Sequence, residues 1–282
     1  MKNSKQYSKE IEKLFRSLKI RSSKVKFPAY TDPVDAVIYA ALSEYMPDPA
    51  AKTACRKLGR HFVDWNDLRV SRSEEILDVL GNNSKDYEKI ASELTRMLNA
   101  IFNRYHTVSL MSLTEIGKKQ AKSELQELDG ITPFVVNYCV LTALHGHAIP
   151  LSEKMVDCLR LNKLVHPGAD YDTIKGFLER QITSAHAYQF YTFLKRLSEK
   201  MPKSYKKKLE AEKAEQEKKE KVAQKAAAKK SVTKKSVTKK IVAKKTKKSP
   251  VRKTAAKKKT TAKAAKKKTA KKTVQKKTKP KK

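Results

Sequence analysis

Along the first 200 positions apolar residues recur at spacings of three and four, the period of a helix that buries one face, so the pattern predicts helices almost throughout. Asp32 has the character of a helix cap and Pro33 suits a first turn, after which Val34, Val37, Ile38, Ala41 and Leu42 share one apolar face. Ser71 followed by Glu74 has the form of a capping box, and Ile76, Leu77 and Leu80 then run to Gly81, a stop signal. Ile90, Leu94, Met97, Leu98 and Ile101 predict a longer helix over 84–105. Further helices are expected over 118–128, 133–145, 152–162, 172–181 and 184–200, with an amphipathic helix opening the chain. The expected class is all-α, with only short extended pieces between helices.

Charge changes this picture at the C-terminal end. The last 82 residues hold 35 of the 65 Lys and Arg but 5 of the 29 acidic residues, which puts +30 there and leaves the first 200 residues at +6. Beyond Glu220 there is no acidic residue, and beyond Tyr205 no aromatic one. Such a segment buries too little apolar surface to offset chain entropy, and its like charges repel, so it is expected to be disordered. The unit Ser231-Val232-Thr233-Lys234-Lys235 recurs as Ser236-Val237-Thr238-Lys239-Lys240, and similar units carry Lys257, Lys258, Lys259, Lys266, Lys267 and Lys268. A linear array of ammonium groups neutralises phosphates without the fixed geometry that Arg imposes, so these lysines are expected to grip a polyanion regardless of sequence. In composition the tail resembles those of linker histones and bacterial histone-like proteins. Between domain and tail, Glu and Lys alternate over 203–221, which predicts a solvated helix held by side-chain ion pairs. The expected organisation is an N-terminal helix and linker over 1–31, a helical domain over 32–200, a charged linker over 201–221 and a Lys/Ala/Thr-rich tail over 222–282.

The junction Leu128-Asp129-Gly130-Ile131-Thr132-Pro133-Phe134-Val135-Val136-Asn137 carries the most information in the domain. Gly130 suits the positive φ that ends one helix, Thr132 caps the next, and Pro133 fits its first turn. The amides of Phe134 and Val135 then lie in a first turn, where no intrahelical acceptor exists and the helix dipole favours an anion. Gly130, Ile131, Thr132, Phe134 and Val135 are therefore candidates to receive a phosphate, alongside the tail lysines.

With this hairpin, the Asp32-Pro33-Val34-Asp35 opening, the Phe62-Val63-Asp64-Trp65 stretch before Ser73-Glu74-Glu75-Ile76, and Ala148-Ile149-Pro150-Leu151 before another helix, residues 32–197 resemble the helix-hairpin-helix base-excision DNA glycosylases, endonuclease III in particular. The resemblance implies an endonuclease III-like helical domain. It also implies a lysine nucleophile in the hairpin helix and an aspartate before the following helix. Phe134 stands at the first position and Ser152 at the second. A phenyl ring has no lone pair for attack, and a neutral hydroxyl lacks a carboxylate's charge. Thr132 replaces the second hairpin glycine, and the four-cysteine cluster signature of many relatives is missing. Glu153 and Lys154, beside Ser152, are the candidate substitutes, although Lys154 with Asp157 also fits a surface ion pair.

Other residues add little. His145 and His147 fit an exposed loop better than a metal site, and Cys55, Cys139 and Cys158 are too scattered for a disulfide framework. Trp65 beside Phe62 and Leu68, and Tyr188, Phe190, Tyr191 and Phe193, are expected mainly to pack. No cofactor or metal is implied. No secretory signal and no apolar run of about 20 residues appears, so a cytoplasmic, nucleoid-associated protein is expected, nuclear if the source is eukaryotic. The expectation is a binder of double-stranded DNA without the ordinary catalytic pair, with no membrane partner and no oligomeric state assigned. An active glycosylase/lyase with relocated groups is the first alternative, and an RNA- or ribosome-associated basic protein the second.

Overall fold

A computed structural model describes residues 4–21, 25–81 and 84–202, together with Ser204, Tyr205, Lys207 and Leu209. Most of the charged linker and all of the tail, including Lys234, Lys235, Lys239, Lys240, Lys257, Lys258, Lys259, Lys266, Lys267 and Lys268, lie outside the described residues.

The described residues form helices in the order α1 (Ser4–Arg21), α2 (Pro33–Tyr45), α3 (Asp48–His61), α4 (Trp65–Val70), α5 (Ser73–Leu80), α6 (Lys85–Tyr105), α7 (Ser112–Glu115), α8 (Lys118–Glu127), α9 (Pro133–Thr142), α10 (Glu153–Leu161), α11 (Tyr171–Gln181) and α12 (Ser184–Glu199), and no strand occurs among them. The centre is the pair α2 and α9. Residues 36–43 of α2 and 134–142 of α9 are buried on every side. A helix apolar all round must be enclosed by others, and the neighbours that enclose these two are α3 and α6 against α2, α8 against α9, and α12 against α9. α6 has the opposite character: Ile90, Leu94, Met97, Leu98 and Ile101 are buried along one stripe while its other side is wet. α1 belongs to the same core, with Ile11 fully buried and the Phe15 ring 6.0 Å from that of Phe190.

Local signals set the ends. Asp32 Oδ1 accepts from the amides of Val34 (2.9 Å) and Leu110 (3.0 Å), so one carboxylate caps α2 and pins the loop before α7. Gly81 ends α5 with φ +73°. Ser71 does not cap α5 as its spacing with Glu74 predicts: its hydroxyl donates to the Asp67 carbonyl (2.8 Å), closing α4, and the residue before α5 is Arg72, without a side-chain cap bond. α3 falls where no helix was expected, because its buried side is only Ala51, Ala54 and Leu58, too small to make a visible apolar stripe. Trp65 is half-buried, and its indole N–H donates to Asp35 Oδ1 (2.7 Å).

One charged contact joins the last helix to the centre. Lys195 of α12, 6% exposed, donates to the Ser43 carbonyl (2.7 Å) and lies 3.1 Å from Asp48 Oδ1, which also accepts from the Tyr39 hydroxyl (3.0 Å). Burial would raise the Asp48 carboxyl, but the Lys195 ammonium and the Tyr39 hydroxyl outweigh it and hold it below the ordinary range. The same burial lowers Lys195. Removing one partner leaves the other charge buried, which costs about 3–5 kcal/mol. Asp48→Asn should therefore destabilise the domain by about 3 kcal/mol at pH 7. Because the folded carboxyl titrates below the unfolded one, the stability it adds is present above about pH 4 and is lost as pH falls through its folded value. Thermal melts of both proteins should therefore converge towards acid pH, and a gap unchanged between pH 7 and pH 3 would contradict the assignment.

Candidate nucleic-acid interface

The hairpin between α8 and α9 follows from its residues. Leu128 is buried and anchors the end of α8, and Gly130 turns the chain with φ +79°. The Ile131 amide returns to the Leu128 carbonyl (3.4 Å), and Thr132 caps α9. The Thr132 hydroxyl accepts from the Val135 amide (3.3 Å) and donates to Glu44 Oε2 at the end of α2 (2.7 Å). One turn further on, Asn137 Nδ2 donates to the Pro133 carbonyl (2.7 Å), bracing the first turn.

Phe134 and Val135 are buried, at 2% and 1% exposure with their main chain included, and the Val135 amide already has the Thr132 oxygen. Ile131 and Thr132 are half-buried. Arg96 of α6 covers the turn: its Nε donates to Asp129 Oδ2 (2.7 Å), its Nη2 to the other carboxylate oxygen, and its stem passes 3.0 Å from where a Gly130 Cβ would stand. This forked pair, formed in full solvent, lowers the Asp129 carboxyl and cancels its charge at the hairpin corner.

Phe134 and Ser152, distant in sequence, line one cavity of about 60 Å³ with Glu44, Lys154, Lys195 and Glu199. Behind its wall Phe134 stacks on Tyr138 at 6.4 Å and 22°, and Tyr138 meets Tyr191 edge-on at 5.6 Å. The Ser152 hydroxyl caps α10 by accepting from the Met155 amide (3.4 Å). Glu153 and Lys154 are both exposed, and Lys154 alone of the two reaches the cavity wall. The surface pair expected between Lys154 and Asp157 does not form; Asp157 faces Arg160 (3.4 Å), one turn further along α10. His145 and His147 lie on the surface.

Scanned against protein-family models the sequence matches none, and no curated protein sequence matches it. Solved structures do match. A trapped endonuclease III–DNA covalent intermediate superposes with TM-score 0.51 at 15% identity, over 69% of this chain and 85% of that one. The chain has the endonuclease III-like fold. The 3-methyladenine DNA glycosylase of H. pylori, bound to 1,N6-ethenoadenine, matches at 0.51 and 16% identity over 71% of this chain and 99% of its own. The 8-oxoguanine glycosylase/lyase of Clostridium acetobutylicum, in complex with double-stranded DNA, matches at 0.52 and 13% identity over 69% of each chain.

Within this endonuclease III-like domain, sequence reasoning missed Glu44, Lys195 and Arg96. Glu44 had a signal, as the carboxylate that follows eight residues without a charge in a mostly apolar helix. Lys195 falls on the Tyr188, Tyr191, Ser198 side of α12, a buried stripe by spacing. Arg96 had none, since its partner lies 33 residues away. Burial pushes the Glu44 carboxyl up to about 7, against the opposing hydrogen bond from Thr132. A carboxyl raised in the folded state binds its proton through a window where the unfolded chain has released it, so stability falls as pH rises from about 4.5 to about 7. Glu44→Gln keeps an oxygen for Thr132 and removes the charge. It should raise the melting temperature by a few degrees at pH 8 and leave it unchanged near pH 4.5. A uniform shift at both pH values would refute the titration.

Proposed function

We propose that this chain binds double-stranded DNA through the 128–135 hairpin and the lysine-rich tail, and that it lacks the covalent chemistry of a glycosylase/lyase. The carrying observation is the hairpin: Gly130 at φ +79° and a Thr132-capped α9 that opens on an exposed Pro133 and is buried from Phe134 to Thr142, in a fold shared with proteins solved on DNA. A turn of this form presents first-turn amides and a helix dipole to an anion. The tail supports the same partner, since +30 over 82 residues exceeds what solubility asks of a small domain. Sequence-independent binding of this kind favours residence on chromosomal DNA, nucleoid-associated in a bacterium and nuclear in a eukaryote. No helix among the described residues is long and apolar enough to cross a membrane.

The absence of lyase chemistry rests on what occupies the cavity. Phe134 offers no nucleophile, and the Ser152 hydroxyl already serves the Met155 amide.

Two measurements test this reading. Deleting residues 203–282 should flatten the dependence of log K on log salt by about 0.9 for each phosphate that the tail neutralises, so by about nine if it neutralises ten. The shortened protein should keep weak duplex binding that Gly130→Val lowers about tenfold, because a left-handed β-branched residue costs roughly 1–2 kcal/mol. An unchanged slope removes the tail from the interface, and an unchanged affinity in a stably folded Gly130→Val protein removes the hairpin. In the second measurement, borohydride should trap no adduct on an abasic duplex, and no base should be released from oxidised-pyrimidine or mismatched duplexes. Trapping that disappears in Lys154→Ala would instead establish a relocated lyase.

A further inference from the structure

A second basic site lies away from the hairpin, where three elements converge. Lys26 comes from the extended segment before α2, Lys52 from α3 and Arg196 from α12. With Asp48, Tyr188 and Thr192 they line a cavity of about 140 Å³. All three cations are exposed, and among the described residues none of their side chains forms an ion pair or hydrogen bond. The carboxylate in the cavity wall, Asp48, is bonded to Lys195 and Tyr39 and acts on Lys52 only through space, so it offsets part of this charge without forming a contact with any of the three. Glu199, the other nearby acid, accepts from the Asp48 amide (3.3 Å). Counting Lys26, Lys52, Lys195 and Arg196 against Asp48 and Glu199, the locality carries a net charge of +2. Cations gathered around one concavity repel one another and concentrate an anion there.

The residue after Lys26 supplies the second observation. Phe27 is 46% exposed, an unusual position for a phenyl ring, yet it is held in place: its centroid lies 4.9 Å from that of Tyr188, which lines the cavity, and 5.8 Å from that of His145. An aromatic ring supported by a second ring and open to solvent is a platform on which a nucleobase stacks whatever its identity. Phosphate-binding cations beside such a ring match the two halves of a nucleotide. The bases of a paired duplex already face one another in the stack, so only an unpaired nucleotide has a free face for Phe27.

We propose that Lys26, Lys52 and Arg196 hold a phosphate of an unpaired DNA nucleotide whose base stacks on Phe27. The proposal rests on the DNA-binding reading above and adds to it a preference for locally unpaired DNA, at a site separate from the hairpin.

The test uses the full chain, so that the tail contributes equally throughout. Its affinity is measured by fluorescence anisotropy, at one salt concentration, for a duplex and for the same duplex carrying a short mismatched bubble, which keeps the number of phosphates constant. The bubble should bind about five- to tenfold more tightly, the lower end of what one base–aromatic stack supplies. Phe27→Ala and Phe27→Leu should both bring the ratio to about one without changing duplex affinity; the leucine keeps apolar packing on Tyr188 and removes the π face. A Lys26→Gln, Lys52→Gln, Arg196→Gln triple variant should weaken bubble binding more than duplex binding, with thermal melts confirming that each variant is folded. Equal wild-type affinity for bubble and duplex overturns the site and leaves the duplex reading standing, whereas failure to bind either DNA overturns the duplex reading itself. A preference that survives both Phe27 variants, or that appears only with an RNA strand of the same sequence, also overturns the proposal.

Discussion

Two helices that are apolar on every side, α2 and α9, oblige the other helices to surround them, and the geometry of the hairpin is a consequence of that enclosure. α9 cannot rotate or slide without exposing Phe134, Val135, Tyr138 or Val140, each of which is at most 3% exposed. Fully burying a side chain of this kind is worth about 1.5–3 kcal/mol, so any displacement of the helix is opposed by several such terms at once. Its first turn is fixed in the same way, and the turn before it is fixed in consequence. Gly130 then meets a definite φ, and Thr132 meets both the Val135 amide and the Glu44 carboxyl. The link from Glu44 to Thr132 joins the C-terminal end of one central helix to the N-terminal end of the other, so the hairpin is registered against the core at two points.

Charge is handled differently inside and outside that core. Inside, Lys195 and Asp48 are admitted only as a pair, with the Ser43 carbonyl and the Tyr39 hydroxyl completing their hydrogen bonds. Outside, Arg96 neutralises Asp129 at the hairpin corner, which on the proposed reading spares an approaching phosphate the repulsion of an uncompensated carboxylate. The first 200 residues end near neutrality, at +6, so their cations act through local placement, and on the proposed reading the bulk of the non-specific attraction to DNA falls to the tail.

Much of this was legible in the sequence where the cause was local. Asp32, Gly81, Gly130 and the Thr132-Pro133 pair each do what their residue type dictates within one turn of chain, and the helices were visible wherever large aliphatic residues marked the buried face. Legibility stopped where a second segment decides. Ser71 satisfies its hydroxyl on the Asp67 carbonyl instead of capping α5, a choice between two local bonds that spacing does not resolve. α3 buries alanines, which carry little periodic signal. At the site, Phe134 and Ser152 were found through the resemblance, while Glu44, Lys195 and Arg96 gained their importance from partners brought together only by folding.

The side chains around this cavity bear on the proposed reading of an endonuclease III-like fold as a binding module without the covalent chemistry. A lysine placed at position 134 would hold its ammonium among Tyr138, Tyr191 and the Met155 side of α10, in a space of about 60 Å³ with Lys195 already in its wall. Desolvation and the neighbouring positive charge would both press on it. Phe134 places an apolar ring where that charge would be costly and adds to the enclosure of α9. On the proposed reading, the substitution that removes the nucleophile also strengthens the packing that sets the hairpin. Installing that chemistry would therefore take more than one residue, because the rings packed around position 134 would have to give way to a charged side chain.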